Sequence, residues 1–157
     1  MQRRVLVPVA LGIVLGCGVS LSDPGPMAGQ FPAPGCAAFA APLPGSGTYD
    51  YAACDPQGSL LLLGRLTLAV APDGQVSGTW QIDWAPGADR DTEVGPQVGS
   101  GELAGSADAG GLRLDLNPGW ADHNVFLTAT AGVSGGGWEW STFTGPTAGG
   151  PFTTRRR

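Results

Sequence analysis

The sequence predicts an all-β fold: an antiparallel up-and-down meander of seven to eight strands, closed or nearly closed into a small barrel. Three observations carry this expectation. From Leu66 to Trp84 the chain reads LTLAVAPDGQVSGTWQIDW, with apolar residues at alternate positions on both sides of Pro72-Asp73-Gly74. Successive strand side chains point to opposite faces, so each arm is a half-buried strand. Asp-Gly supplies the positive φ that a tight hairpin needs, and Pro cannot continue a strand interior. The same unit, strand then glycine turn then strand, recurs at 101–116 and 125–143. Finally, 27 glycines and 14 prolines in 157 residues suit many turns, and no helical period follows the leader. Closure follows because an open sheet of this size has two edges to protect, and a barrel has none. Eight strands enclose a lumen that side chains fill or one small ligand occupies.

Taken in order, the domain spans 47–154. Gly47 to Ala53 is a strand with Tyr49 and Tyr51 on one face, and Asp55-Pro56-Gln57-Gly58 is a turn. Ser59 to Ala71 is long, so Gly64 is expected to mark a bulge or bend. Leu60 to Leu63 are consecutively apolar, as in a strand end covered on both sides. The strand 75–84 leads into a loop, APGADRDTEVGPQ, and then a strand from about Val98 to Ser106. Leu112, Leu114 and Leu116 alternate, Asn117-Pro118-Gly119 ends that strand, and Val125 to Ala131 follows. Trp138, Trp140 and Thr142 alternate on the next strand. After the turn 146–150, Pro151 to Thr154 forms a short closing strand, and 155–157 is a basic tail.

Ahead of the domain, residues 1–16 read as a signal peptide. Arg3 and Arg4 precede an uncharged apolar run from Val5 to Leu15, too short for a bilayer span of about 20 residues. Val14-Leu15-Gly16-Cys17 resembles the lipobox of bacterial lipoproteins. The resemblance implies cleavage after Gly16 and lipidation of Cys17, and several acyl chains on one residue give stable anchoring. The partner so implied is a membrane, reached through the anchor on Cys17. The location is the cell envelope: the periplasmic face of the outer membrane or the cell surface. Three cysteines are present; with Cys17 lipidated, Cys36 and Cys54 are left to pair, as the oxidising compartment permits. One histidine and two cysteines at this spacing match no zinc pattern, so no metal and no cofactor is expected. Residues 17–46 form a Pro/Gly/Ala-rich linker, with Pro at 24, 26, 32, 34, 42 and 44.

GTYDY near 47, VSGTW near 76 and WEWSTFTGPTAGGPFT from 138 are similar to strands of avidin-like and lipocalin-like barrels. In the last segment, Trp140, Ser141, Thr142, Gly145, Phe152 and Thr153 carry the likeness. It implies the architecture and assigns no ligand.

Candidate ligand-lining residues are Trp80, Trp84, Trp138 and Trp140, at alternate positions on two strands. Such rings can grip a sugar or a flat apolar ligand, although core packing is the plainer reading. Trp120, in a loop, is the better candidate for an exposed contact. His123 in Asp122-His123-Asn124 reads as a turn histidine, and no G-x-S-x-G elbow is present. Asp89, Asp91 and Glu93 alternate as a calcium loop's ligands do, but without EF-hand spacing, so a solvated loop is expected. Formal charge is −5, and loss of Arg3 and Arg4 makes it more acidic. A general nucleic-acid binder needs the opposite sign. The expectation is therefore an exported, lipid-anchored, non-enzymatic barrel that binds a small ligand or an envelope protein. The alternatives are an interaction module with a filled barrel, and, more distantly, an envelope hydrolase using His123 and Asp122.

Overall fold

A computed structural model describes Cys36, residues 45–131 and residues 135–157. The signal peptide, the lipidation site Cys17 and most of the linker lie outside the described residues. Eight strands follow one another: β1 (Gly47–Cys54), β2 (Leu60–Val70), β3 (Gln75–Trp84), β4 (Gly99–Ala107), β5 (Gly111–Asp115), β6 (His123–Thr130), β7 (Gly135–Thr142) and β8 (Gly145–Arg156). Each pairs antiparallel with the next, and β8 returns to pair with β1, so the meander closes into a barrel.

The inward faces interlock by size. Leu66 opposes Trp80, which opposes Gly101; Leu68 opposes Gly78, which opposes Leu103. Across the barrel, Trp138 opposes Gly150 and Trp140 opposes Ala148. Large rings thus face residues with little or no side chain, and their side chains interdigitate to fill the interior. At Gly101 a Cβ would fall 2.9 Å from Trp80 Nε1, so only glycine leaves room for that indole. The core gathers Tyr49, Tyr51, the alternating leucines of β2 and β5, Val125, Leu127 and Phe152 into one cluster.

The bulge expected at Gly64 sits instead at the start of β2. Cys54 pairs with Leu60 and Ala53 with Leu62, leaving Leu61 as the extra residue, while Gly64 stays in regular register between Tyr51 and Ile82. The apolar run at the start of β2 is covered on both sides, as its sequence suggested. Leu61 and Leu62 join the main core, and Leu63 joins a second cluster with Ala52 and Ala85.

The last strand is much longer than the expected 151–154, running from Gly145 through Arg156. Pro146 is accommodated where the register shifts between Trp140 and Ser141. Gly150 lies opposite Trp138, where a side chain would also strike Cys54 O at 2.2 Å. Arg155 and Arg156 therefore belong to the barrel. Arg155 and Arg157 both bind Asp50, at 3.3 and 2.5 Å, and that carboxylate is 1% exposed on the outer wall of β1. Arg156 donates to Ser46 O. Cys36 and Cys54 form a disulfide, with Cys36 Sγ 3.6 Å from Pro151 O of β8.

The loop between β3 and β4 folds inward at one end of the barrel. Gln97 is fully buried; its Nε2 donates to Val94 O (2.7 Å), and its Oε1 accepts from Tyr51 Oη (3.2 Å). Burial pushes the Tyr51 phenol far up from its ordinary pKa, so it stays a neutral donor. Gln97→Ala should leave that buried hydroxyl without its acceptor. The expected loss is about 1–3 kcal/mol in urea unfolding, with the midpoint reduced and the slope unchanged.

Candidate functional site

The site originates in a length mismatch between strands. β4 pairs with β3 from Gly99 to Ser106, but with β5 only from Ala104 to Ala107. Asn117-Pro118-Gly119 turns the chain away early. Asn117 N–H donates to Asp115 Oδ1, and Asn124 Nδ2 donates to Asp115 Oδ2 and to Asn117 O, fixing that turn. Half of β4 is left with one unladdered edge.

The direction of that edge follows from alternation. Ala107 N–H donates to Gly74 O on the β3 side, whereas Asp108 and Gly111 exchange hydrogen bonds on the β5 side. Counting back by twos from Asp108, the backbone groups of Glu102 and Ser100 point at the notch. Among the described residues, no backbone group of the turn after β5 bonds them.

The notch encloses about 310 Å³ between Ser100, Gly101 and Glu102 on one side and Leu116 to Trp120 on the other, with Trp80 as its floor. A second depression of about 510 Å³ crosses the outer wall of β2, β3 and β4, lined by Arg65, Thr67, Thr79, Gln81, Ser100 and Glu102. The two share Trp80, Ser100, Gly101 and Glu102, so they form one continuous groove. Both volumes lie in the range of small-molecule sites.

The register orders the lining. Arg65, Gln81 and Ser100 form one row across the strands, and Thr67, Thr79 and Glu102 the next. Arg65 and Glu102 are therefore two strands and one row apart, about 12 Å from strand spacing and rise. Among the described residues, Arg65 Nε is buried without a hydrogen-bond partner. Asp50, its neighbour in register, is already held by Arg155 and Arg157.

Trp120 stands at the lip of the groove, 57% exposed. His123 meets it edge-on, with ring centroids 6.4 Å apart, and lies near parallel to Trp140 on its other side at 6.2 Å and 23°. Trp140 rests on Gly95, where a Cβ would come within 2.4 Å of the indole. Among the described residues, the exposed large apolar side chains Val98, Trp120 and Phe143 all belong to loops at this end of the barrel.

The four candidate tryptophans do not surround a common cavity. Trp80 donates its Nε1 proton to Leu116 O and Trp138 to Cys54 O, and both rings are buried. Trp84 and Trp140 are half-buried and pack against the core from the loop end. His123 opens β6 between two indoles; among the described residues it has no hydrogen bond to a carboxylate or hydroxyl. Asp89 accepts from its own loop's Asp91 N–H, and no group of three metal-ligating side chains converges among the described residues. Sequence reasoning passed over Arg65, Gln81, Ser100 and Glu102. Each is an outward residue on an alternating strand, and nothing local separates it from an ordinary solvated position. The one sequence cue is the glycine-rich β4 beside a short β5.

The fold and groove define a closed eight-stranded barrel with a filled interior and a polar channel on its outer wall. In comparisons with known proteins, the chain matches no family model, no curated protein and no solved structure.

Proposed function

We propose that this chain is an exported, lipid-anchored, non-enzymatic barrel of the cell envelope that holds a ligand against the outside of its wall. The leader and Cys17 support the tether. The observation that carries the binding surface is the contrast between inside and outside. The lumen is occupied by side chains, down to Gln97 and Val94 in its mouth. The outer groove instead presents Arg65, Gln81, Ser100 and Glu102, whose side chains have no hydrogen bond or ion pair within the described protein. A filled interior also supports a second reading, a protein-interaction module with no small ligand.

Two measurements test this. Mass spectrometry of the mature chain should show an acylated Cys17, and Cys17→Ser should move the protein from the membrane fraction to the soluble one; an unmodified Cys17 thiol would remove the anchor. Hydroxyl-radical footprinting with solubilised envelope should protect Trp120 and Glu102. Protection elsewhere, or none, would remove the groove.

A further inference from the structure

We infer that the ligand of this groove is a glycan, bound along the row from Arg65 to Trp120; the inference rests on the outer-groove reading above. A sugar hydroxyl donates and accepts at once, and it is best held by a lining that offers both. Here Arg65 only donates, the Glu102 carboxylate only accepts, and Gln81, Ser100 and Thr79 do both. All are free of intramolecular side-chain partners among the described residues. The open β4 edge adds the backbone donors and acceptors of Ser100 and Glu102 at the point where the groove enters the notch. A sugar ring has apolar C–H faces beside its hydroxyls, and Trp120 offers an exposed indole at the far lip.

Competing ligands fit less well. A lipid chain would have to cover the polar groups of Arg65, Gln81, Ser100 and Glu102 without pairing them. A nucleic acid finds one arginine facing one glutamate in a protein of charge −5. A peptide strand finds an open edge only as long as Gly99–Leu103. From β2 to the turn beyond β4 is about three strand spacings, roughly 14 Å, a path suited to a short oligosaccharide.

The test is calorimetric titration of the full mature chain with tri- and tetrasaccharides of β-linked N-acetylglucosamine and of β-linked glucose, with sedimentation on insoluble cell-wall glycan. One series should bind saturably, and which one it is separates an amino-sugar wall polymer from a neutral glucan. Gln81→Ala and Trp120→Ala replace exposed side chains and should each weaken binding about tenfold, the scale of one lost hydrogen bond or stacking contact. Thr128→Ala, exposed on the far wall, should change nothing. No saturable binding of any glycan, or binding that survives both groove variants, overturns the inference. Footprinting separates the two levels: Trp120 and Glu102 protected by an envelope peptide instead of a glycan would overturn the glycan class and leave the groove standing.

Discussion

Trp80→Ala is expected to destabilise the barrel by about 3–5 kcal/mol, the range for removing a large buried aromatic ring. Trp80 is only 5% exposed, and its indole lies directly under Gly101. Its Nε1 donates to Leu116 O at 2.7 Å in a buried setting. Alanine therefore opens a cavity and also leaves a buried carbonyl unpaired. Trp80→Phe separates the two effects, since it keeps most of the packing and loses only the donor; its cost should be about 1–3 kcal/mol. Urea unfolding followed by far-ultraviolet circular dichroism measures both. Equal losses for the two variants would place the whole effect in the hydrogen bond, and a change near zero for alanine would mean that the ring does not fill the core.

Cys36→Ala should cost about 3 kcal/mol. The Cys36–Cys54 bond closes a loop with a sequence separation of 18, and the chain-entropy model assigns that length about 3 kcal/mol through restriction of the unfolded chain. Cys36 is half-buried, so its replacement leaves only a small packing deficit. Reductant should lower the stability of the native chain by the same amount and leave Cys36→Ala unaffected. If reductant shifts the variant too, the loss does not come from this bond.

Much of the barrel was legible in the sequence because its hairpins are local. Asp73-Gly74 sits between two alternating arms, and Gly74 takes a φ of 85° in the turn. The leucines of β5 and the tryptophans of β3 and β7 alternate cleanly, and their faces turned inward as expected. β8 was read too short because Pro146, Gly149, Gly150 and Pro151 resemble loop punctuation. Gly150 serves to admit Trp138, a partner that only the register reveals. Gln97 was likewise hidden: a polar residue in a charged loop gives no sign that it will be drawn into the lumen to meet Tyr51. The groove was illegible for a related reason. Its lining comes from alternate positions on three strands, and its notch comes from a difference in length between β4 and β5, neither of which is a property of any one segment.

The pairing of β8 with β1 has a kinetic consequence. Every other pair of neighbours in the barrel is consecutive in the chain, whereas Arg155 must find Asp50 across 105 positions. Bringing such distant points together costs about 2 kcal/mol more in chain entropy than closing a ten-residue loop. That junction is therefore expected to close late, on a curled sheet already built. Contacts that form after the rate-limiting barrier lengthen the life of a folded molecule and leave the speed of its formation almost untouched, and the pairing of Asp50 with its two arginines lies across this late junction.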